Sequence, residues 1–208
     1  MNKKQQTRLI IILVAAILIV DQVVKILVKT NMYITEDIPL IGSWCRLHFI
    51  ENEGFAFGIH FGGVVGKVLL TLIRLVASVA IAWFIASMIK KETRTSLVVA
   101  FTLVLAGAVG NLIDSCFYGL IFNAPSYEVA TIFPPEGGYA PLFQGRVVDM
   151  FYFPLFEFDW PTWVPFIGGN HFEFFSAIFN VADSAVTIGI VWLLVEYFFI
   201  EPKYSKSE

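Results

Sequence analysis

Charge is scarce in this sequence. Of its 208 residues only 15% are Asp, Glu, Lys or Arg, against 57% that are hydrophobic, a balance outside the range of ordinary water-soluble domains. The basic residues are scattered and form no stripe that could follow a phosphate backbone, so nucleic-acid binding has no support. Cysteine is almost missing: Cys45 and Cys116 lie far apart, neither in a CxxC or CxxH setting, and read as free thiols. The three histidines, His48, His60 and His171, stand singly, and no HExxH sets two imidazoles on one helical face, so no metal site is signalled. There is no GxSxG elbow to expose a serine nucleophile. No cofactor is implied, and carboxylates are what remain for chemistry.

Apolar sequence is abundant instead. A membrane-crossing helix needs about 20 mostly apolar residues, and the pattern predicts spans over roughly 8–28, 64–89, 95–114 and 174–199. A cleaved signal peptide is the other reading of the first, since Lys3, Lys4 and Arg8 precede its apolar run, but no small-residue cleavage site follows. Eight basic residues (Lys3, Lys4, Arg8, Lys90, Lys91, Arg94, Lys203 and Lys206) fall on one side of this map and only Lys29, Arg46 and Arg146 on the other. The positive-inside rule then makes both termini cytoplasmic and turns loops 29–63 and 115–173 outward. The first loop alternates short apolar and polar runs between glycines, the signature of a small β-structure on the membrane. The second is rich in Phe, Tyr, Trp, Pro and Gly, suited to headgroup depth. The expected fold is an all-α membrane protein, a four-helix bundle with a small β-structured extracytoplasmic subdomain, forming one integral membrane domain over 1–208.

Polar side chains inside spans are costly in hydrocarbon and normally face a bundle interior or a wet cavity. At about 1.5 Å per residue, Asp21 and Asn111 lie roughly 19 and 24 Å from the inner ends of their spans, and Asp183 roughly 10 to 13 Å below the outer boundary, which brings all three into the outer half of the membrane. Asn111 and Asp114 are three residues apart, as are Asn180 and Asp183, so each pair shares a helical face. Asp21 and Lys25, four apart, read equally as a self-satisfied ion pair or as a support for a site. For Asn111 and Asn180, hydrogen bonding that joins helices is an equal alternative. Ala106 and Gly110 form a small-xxx-small packing pair. Lys67 and Arg74 read as paired or snorkelling.

Five segments in order resemble the conserved blocks of lipoprotein signal peptidases: Asp21-Gln22-Val23-Val24-Lys25, Asn52-Glu53-Gly54-Phe55-Ala56-Phe57-Gly58, Gly110-Asn111-Leu112-Ile113-Asp114, Gly145-Arg146-Val147-Val148-Asp149-Met150-Phe151 and Phe179-Asn180-Val181-Ala182-Asp183-Ser184. The resemblance implies an intramembrane aspartic endopeptidase of the bacterial inner membrane, acting on prolipoproteins and cutting before a diacylglyceryl-modified cysteine. It implies that Asp149 and Asp183 are the catalytic pair. Asp21, Lys25, Asn52, Gly54, Asn111, Asp114 and Asn180 fall on positions that line or support the family's site. Two departures stand out. Ser115 follows Asp114 where the family usually has arginine, and the connections before Gly145 and between Asp149 and Asp183 are longer than usual. Arg146 is the expected substitute for the missing donor, with contact to lipid phosphate as its alternative.

Two adjacent carboxyl groups can share one proton because ionising both is unfavourable, and so can supply a general base for water and an acid for the scissile carbonyl. Prolipoproteins and membrane lipids are the expected partners, and a single bundle can hold such a site as a monomer. A small proton-coupled transporter is the main rival, since such carriers also embed carboxylates. The lack of inverted repeats and the outward depth of the acids speak against it.

Overall fold

The computed structural model describes residues 1–53, 63–124 and 128–200. Four helices are long and apolar enough to cross a membrane: α1 (Lys3–Asn31), α2 (Gly63–Lys90), α3 (Thr95–Ile121) and α4 (Val181–Ile200). The first opens with a capping box, Asn2 Oδ1 accepting from the Gln5 amide while Gln5 returns a hydrogen bond to the Asn2 amide. Gln6, buried on the same turn, donates through Nε2 to Thr93 O (3.1 Å) and Thr95 Oγ1 (2.9 Å), which pins α1 to the α2–α3 connection. At that same end Arg94 donates to Glu196 of α4 at 2.7 Å.

Between the helices lie six strands: β1 (Asp37–Ile41), β2 (Cys45–Asn52), β3 (Val147–Tyr152), β4 (Phe156–Asp159), β5 (His171–Phe174) and β6 (Ile178–Phe179). Four of them form one antiparallel sheet in the order β1-β2-β3-β6. Its apolar face packs on the C-terminal end of α1 and the end of α3 through Val28, Met32, Phe49, Tyr118, Phe122, Val148 and Met150. The sequence therefore places a β-structure correctly in the first loop, but β3 comes from the second loop and β6 from residues assigned to the fourth span. Strands β4 and β5 make a separate hairpin. Phe156 opposite Phe174 and Phe158 opposite Phe172 give it an aromatic face, while Glu157, Glu173, Asp159 and His171 line the other.

Three span boundaries differ from the hydropathy reading. Helix α1 runs from Lys3 to Asn31. Helix α3 continues past Asp114 through a π-helical turn over Asp114–Tyr118 and ends at Ile121. The fourth span begins at Val181 rather than near 174, because residues 178–179 pair with β3 and Asn180 caps the helix. Apolar residues 174–179 look the same to a hydropathy window whether they enter as strand or helix. The close approach of α3 to α4 runs through Gly107 and Gly110: a Cβ on Gly107 would stand 2.2 Å from Ala182 O, and one on Gly110 2.9 Å from Ala182 Cβ. Ala106, expected to pair with Gly110, is fully buried one residue away.

Candidate active site

Asn180 is the hinge of the site. As N-cap of α4 it accepts through Oδ1 from the Asp183 amide (2.8 Å), and Asp183 Oδ2 accepts from the Asn180 amide (3.4 Å), so Asp183 is held in the first helical turn, where the helix dipole favours negative charge. The same Asn180 donates through Nδ2 to Asp149 Oδ1 at 2.6 Å. Strand β3 carries Asp149 opposite Ile50 of β2, and Asn52 at the end of β2 donates to the other oxygen, Oδ2. From α3, Asn111 donates through Nδ2 to Asp183 Oδ1 (2.7 Å), while its Oδ1 lies 3.1 Å from Asn180 Nδ2. Two carboxyl groups from a strand and a helix, 34 positions apart, are thus joined through two asparagine amides. Asp149 is only 2% exposed. Burial above all, and then the Asp183 charge, push its carboxyl up to about 8, against the opposing pull of Lys25 and the Asn180 hydrogen bond.

Behind the pair lies a fully buried charged cluster. Lys25 Nζ donates to Asp21 Oδ2 (2.9 Å), Asp114 Oδ2 (2.8 Å) and Asn111 Oδ1 (2.9 Å), which uses all three of its hydrogens. Asp21 in turn accepts from the Ala182 amide at 2.8 Å, securing a second donor at the start of α4. Asp114 accepts from Gln22 Nε2 (2.9 Å) and from the Val148 amide (3.3 Å) next to Asp149. The Asp21–Lys25 pair therefore does more than satisfy itself within α1: it connects α1, α3, α4 and β3. Asn111 and Asn180 bond to one another between helices and also hold carboxylates.

The structure brings together Asp21, Lys25, Asn52, Asn111, Asp114, Asp149, Asn180 and Asp183. Gly54 lies outside the described residues. The guanidinium of Arg146 lies over the Tyr139 ring at 5.9 Å, and its amide donates to Tyr139 Oη at 2.6 Å. Lys67 and Arg74 do not snorkel: Lys67 is buried with Nζ on Glu53 O (2.7 Å), and Arg74 is half-buried with Nη1 on Ser115 Oγ (3.2 Å). Cys45 and Cys116 are free and buried. Among the described residues no group of three His, Cys, Asp or Glu is arranged to hold a metal ion.

The five segments that form this cluster belong to a wider match. The family model described as Signal peptidase (SPase) II matches residues 13–199. The chain belongs to the signal peptidase II family. It is accordingly a signal peptidase, and an integral membrane one by its four spans. Among relatives of the signal peptidase II family, the lipoprotein signal peptidase of Porphyromonas gingivalis is 43% identical over 198 residues, covering 95% of this chain and 86% of its own. That of Amoebophilus asiaticus is 37% identical over 182 residues, covering 86% and 72%. Two solved bacterial membrane enzymes share the fold, each with a TM-score of 0.57 at 24% identity and covering 90% or 92% of this chain and 86% or 93% of their own.

Sequence reasoning passed over two residues of the cluster. Gln22 sits beside Asp21 in the first block and bridges Asp114 to the Tyr118 hydroxyl. Arg74 is the other. The signal for it was present in α2, where Lys67, Thr71, Arg74 and Ser78 recur at spacings of four, three and four and so fall on one face.

Proposed function

We propose that this signal peptidase removes signal peptides from prolipoproteins by intramembrane aspartic hydrolysis, with Asp149 and Asp183 as the catalytic pair. The lipoprotein signal peptidases to which the chain is similar support the substrate class. The observation that carries the mechanism is the pairing itself: Asp149, buried and biased toward its protonated form, is tied through Asn180 and Asn111 to Asp183.

In this reading the proton of the pair rests on Asp149. Asp183 accepts a proton from a water that attacks the scissile carbonyl carbon, while Asp149 donates its proton to the carbonyl oxygen. The resulting gem-diol collapses: the proton on Asp183 passes to the leaving nitrogen, the C–N bond breaks, and a diol hydroxyl returns its proton to Asp149. Asn52 and Asn180 orient the Asp149 carboxyl group, and Asn111 and the capping box orient Asp183. Asp21, Lys25 and Asp114 fix the start of α4 and the end of β3 against each other.

The depth suits an apolar signal helix whose lipid-modified cysteine lies near the outer boundary. Ten residues of α1 beyond Asp21, and ten of α3 beyond Asn111, extend the helices about 15 Å outward from the level of the site. Both termini are cytoplasmic in this assignment, the site opens toward the extracytoplasmic face, and membrane lipid surrounds the bundle. Every group of the site comes from one chain, as a monomeric enzyme requires. Purified protein incubated with a diacylglyceryl-modified precursor peptide tests the reading: wild type yields two fragments, and Asp149→Asn and Asp183→Asn yield none. Substantial turnover by either folded variant removes that residue from the mechanism.

A further inference from the structure

Helix α2 has two unlike sides. Leu69, Ile73, Val76, Val79 and Trp83 on its outer side are all exposed on the protein surface and face lipid in the membrane reading. Its inner stripe is the opposite: Lys67, Thr71 and Ser78 are buried, and Arg74 lies among them. Holding an apolar helix against a bundle does not require a guanidinium about 16 Å along it from its outer end, where a charge is costly.

The Arg74 guanidinium points into the site. Its Nη1 donates to Ser115 Oγ at 3.2 Å, and Ser115 passes its own hydrogen to Asn111 O at 3.0 Å, so the hydroxyl is directional and fixes the guanidinium beside the turn that carries Asn111 and Asp114. Asp183, Asp114 and Asp149 lie close enough to attract it, and Lys67 close enough to repel it. Lys25 cannot serve a substrate, because Asp21, Asp114 and Asn111 take its three hydrogens. Lys67 donates to the Glu53 carbonyl. A guanidinium offers five N–H donors in a planar fork, of which the Ser115 bond uses one.

We propose that Arg74 is the substrate-positioning cation of this site: it reaches across from α2, is aimed by Ser115, and donates to a backbone carbonyl of the signal peptide next to the scissile bond. The inference rests on the aspartate-pair reading above. It gives Ser115 a purpose as the acceptor that orients a guanidinium delivered from another helix.

The test is cleavage kinetics of the purified full-length protein on a diacylglyceryl-modified precursor peptide. Variants Arg74→Ala, Arg74→Gln, Arg74→Lys and Arg146→Ala are compared with the double variant Arg74→Ala/Ser115→Arg, and melting temperature is followed in parallel. Loss of one preorganised donor costs about 100-fold, so Arg74→Ala and Arg74→Gln are each expected to lose about that factor in kcat/KM. Arg74→Lys should keep part of the rate through its charge. Returning a guanidinium from position 115 should recover most of the loss, which a role confined to packing would not allow. Wild-type kinetics in Arg74→Gln overturns the proposal, as does failure of the double variant to exceed Arg74→Ala while both remain folded. A larger loss in Arg146→Ala than in Arg74→Gln assigns the role to Arg146 and equally overturns it. If Arg74→Ala does not fold, Arg74→Gln decides alone. The aspartate variants separate the two readings: if they abolish cleavage while the arginine variants do not, only this inference fails.

Discussion

Asp149 holds its position at a cost in stability. Its carboxyl is raised from the ordinary 3.8 to about 8 by burial and by Asp183. A folded value above the unfolded one means that the native state keeps a proton which the unfolded chain gives up. The stabilisation is complete below about pH 4 and is lost progressively as pH climbs to about 8, by at most about 1.4 kcal/mol per pH unit. Asp149→Asn removes this titration while preserving shape. It should be inactive yet melt higher than wild type, with the gain in melting temperature growing between pH 5 and pH 8. An equal gain at both pH values would mean that Asp149 does not carry the shifted proton. Wild-type cleavage should also decline above about pH 8, as Asp149 loses the proton it donates. Asp21, Asn111, Asp114, Asn180 and Asp183 were legible in the sequence because a polar group in or at the end of an apolar run stands out, whereas Asn52 on β2 was found only through the family resemblance. Asp149 itself was legible only through the family resemblance: on a strand outside the spans it breaks no hydropathy rule. Arg74 was missed because the positive charges of a membrane helix have a cheap explanation, snorkelling, which here is ruled out by the bond to Ser115.

Three of the helices supply the groups around the pair. The middle of α1 brings Asp21 and Lys25, α3 brings Asn111 and Asp114, and the start of α4 brings Asp183, so the level at which α3 and α4 touch decides whether Asn111 reaches Asp183. That contact depends on Gly107, whose missing Cβ leaves room for the Ala182 carbonyl. Gly107→Ala forces two backbones apart next to the helix cap. It should lower stability by about 1–3 kcal/mol and reduce kcat more than it raises KM, since Asp183 shifts with its helix. An unchanged melting temperature in Gly107→Ala would show that the two helices can separate without strain. Periodicity and length disclosed all four helices, but not how the fourth begins. A capped start at Asn180 is written in the sequence as Asn-Val-Ala-Asp, a polar cap with an acid three residues on, and it was obscured by the apolar residues in front of it. The pairing of β3 with β2 was not legible either, because nearly a hundred residues separate them and nothing local specifies which strands meet.

At the scale of the whole chain, its two ends differ in kind. One end is closed by short contacts among charged and polar groups: Gln6 with Thr93 and Thr95, Lys3 with Glu92 at 3.1 Å, and Arg94 with Glu196. The other carries the sheet and the aromatic hairpin, whose tip residues Trp163 and Phe166 are 80% and 103% exposed. The proposed orientation puts the first end in the cytoplasm. A cysteine at Glu92 should therefore be shielded from a membrane-impermeant thiol reagent in intact spheroplasts, and one at Thr35 should react; the native Cys45 and Cys116 are buried and contribute little background. Reaction at Glu92 with Thr35 protected would invert the topology. One further consequence follows from the late start of α4. Just before Val181 residues 178–179 are strand, and backbone amides inside a membrane persist only where protein or water meets them, here where β3 does. Strand β6 therefore fastens the head of α4 to the strand that bears Asp149, and the backbones carrying Asp149 and Asp183 cannot drift apart without parting β6 from β3.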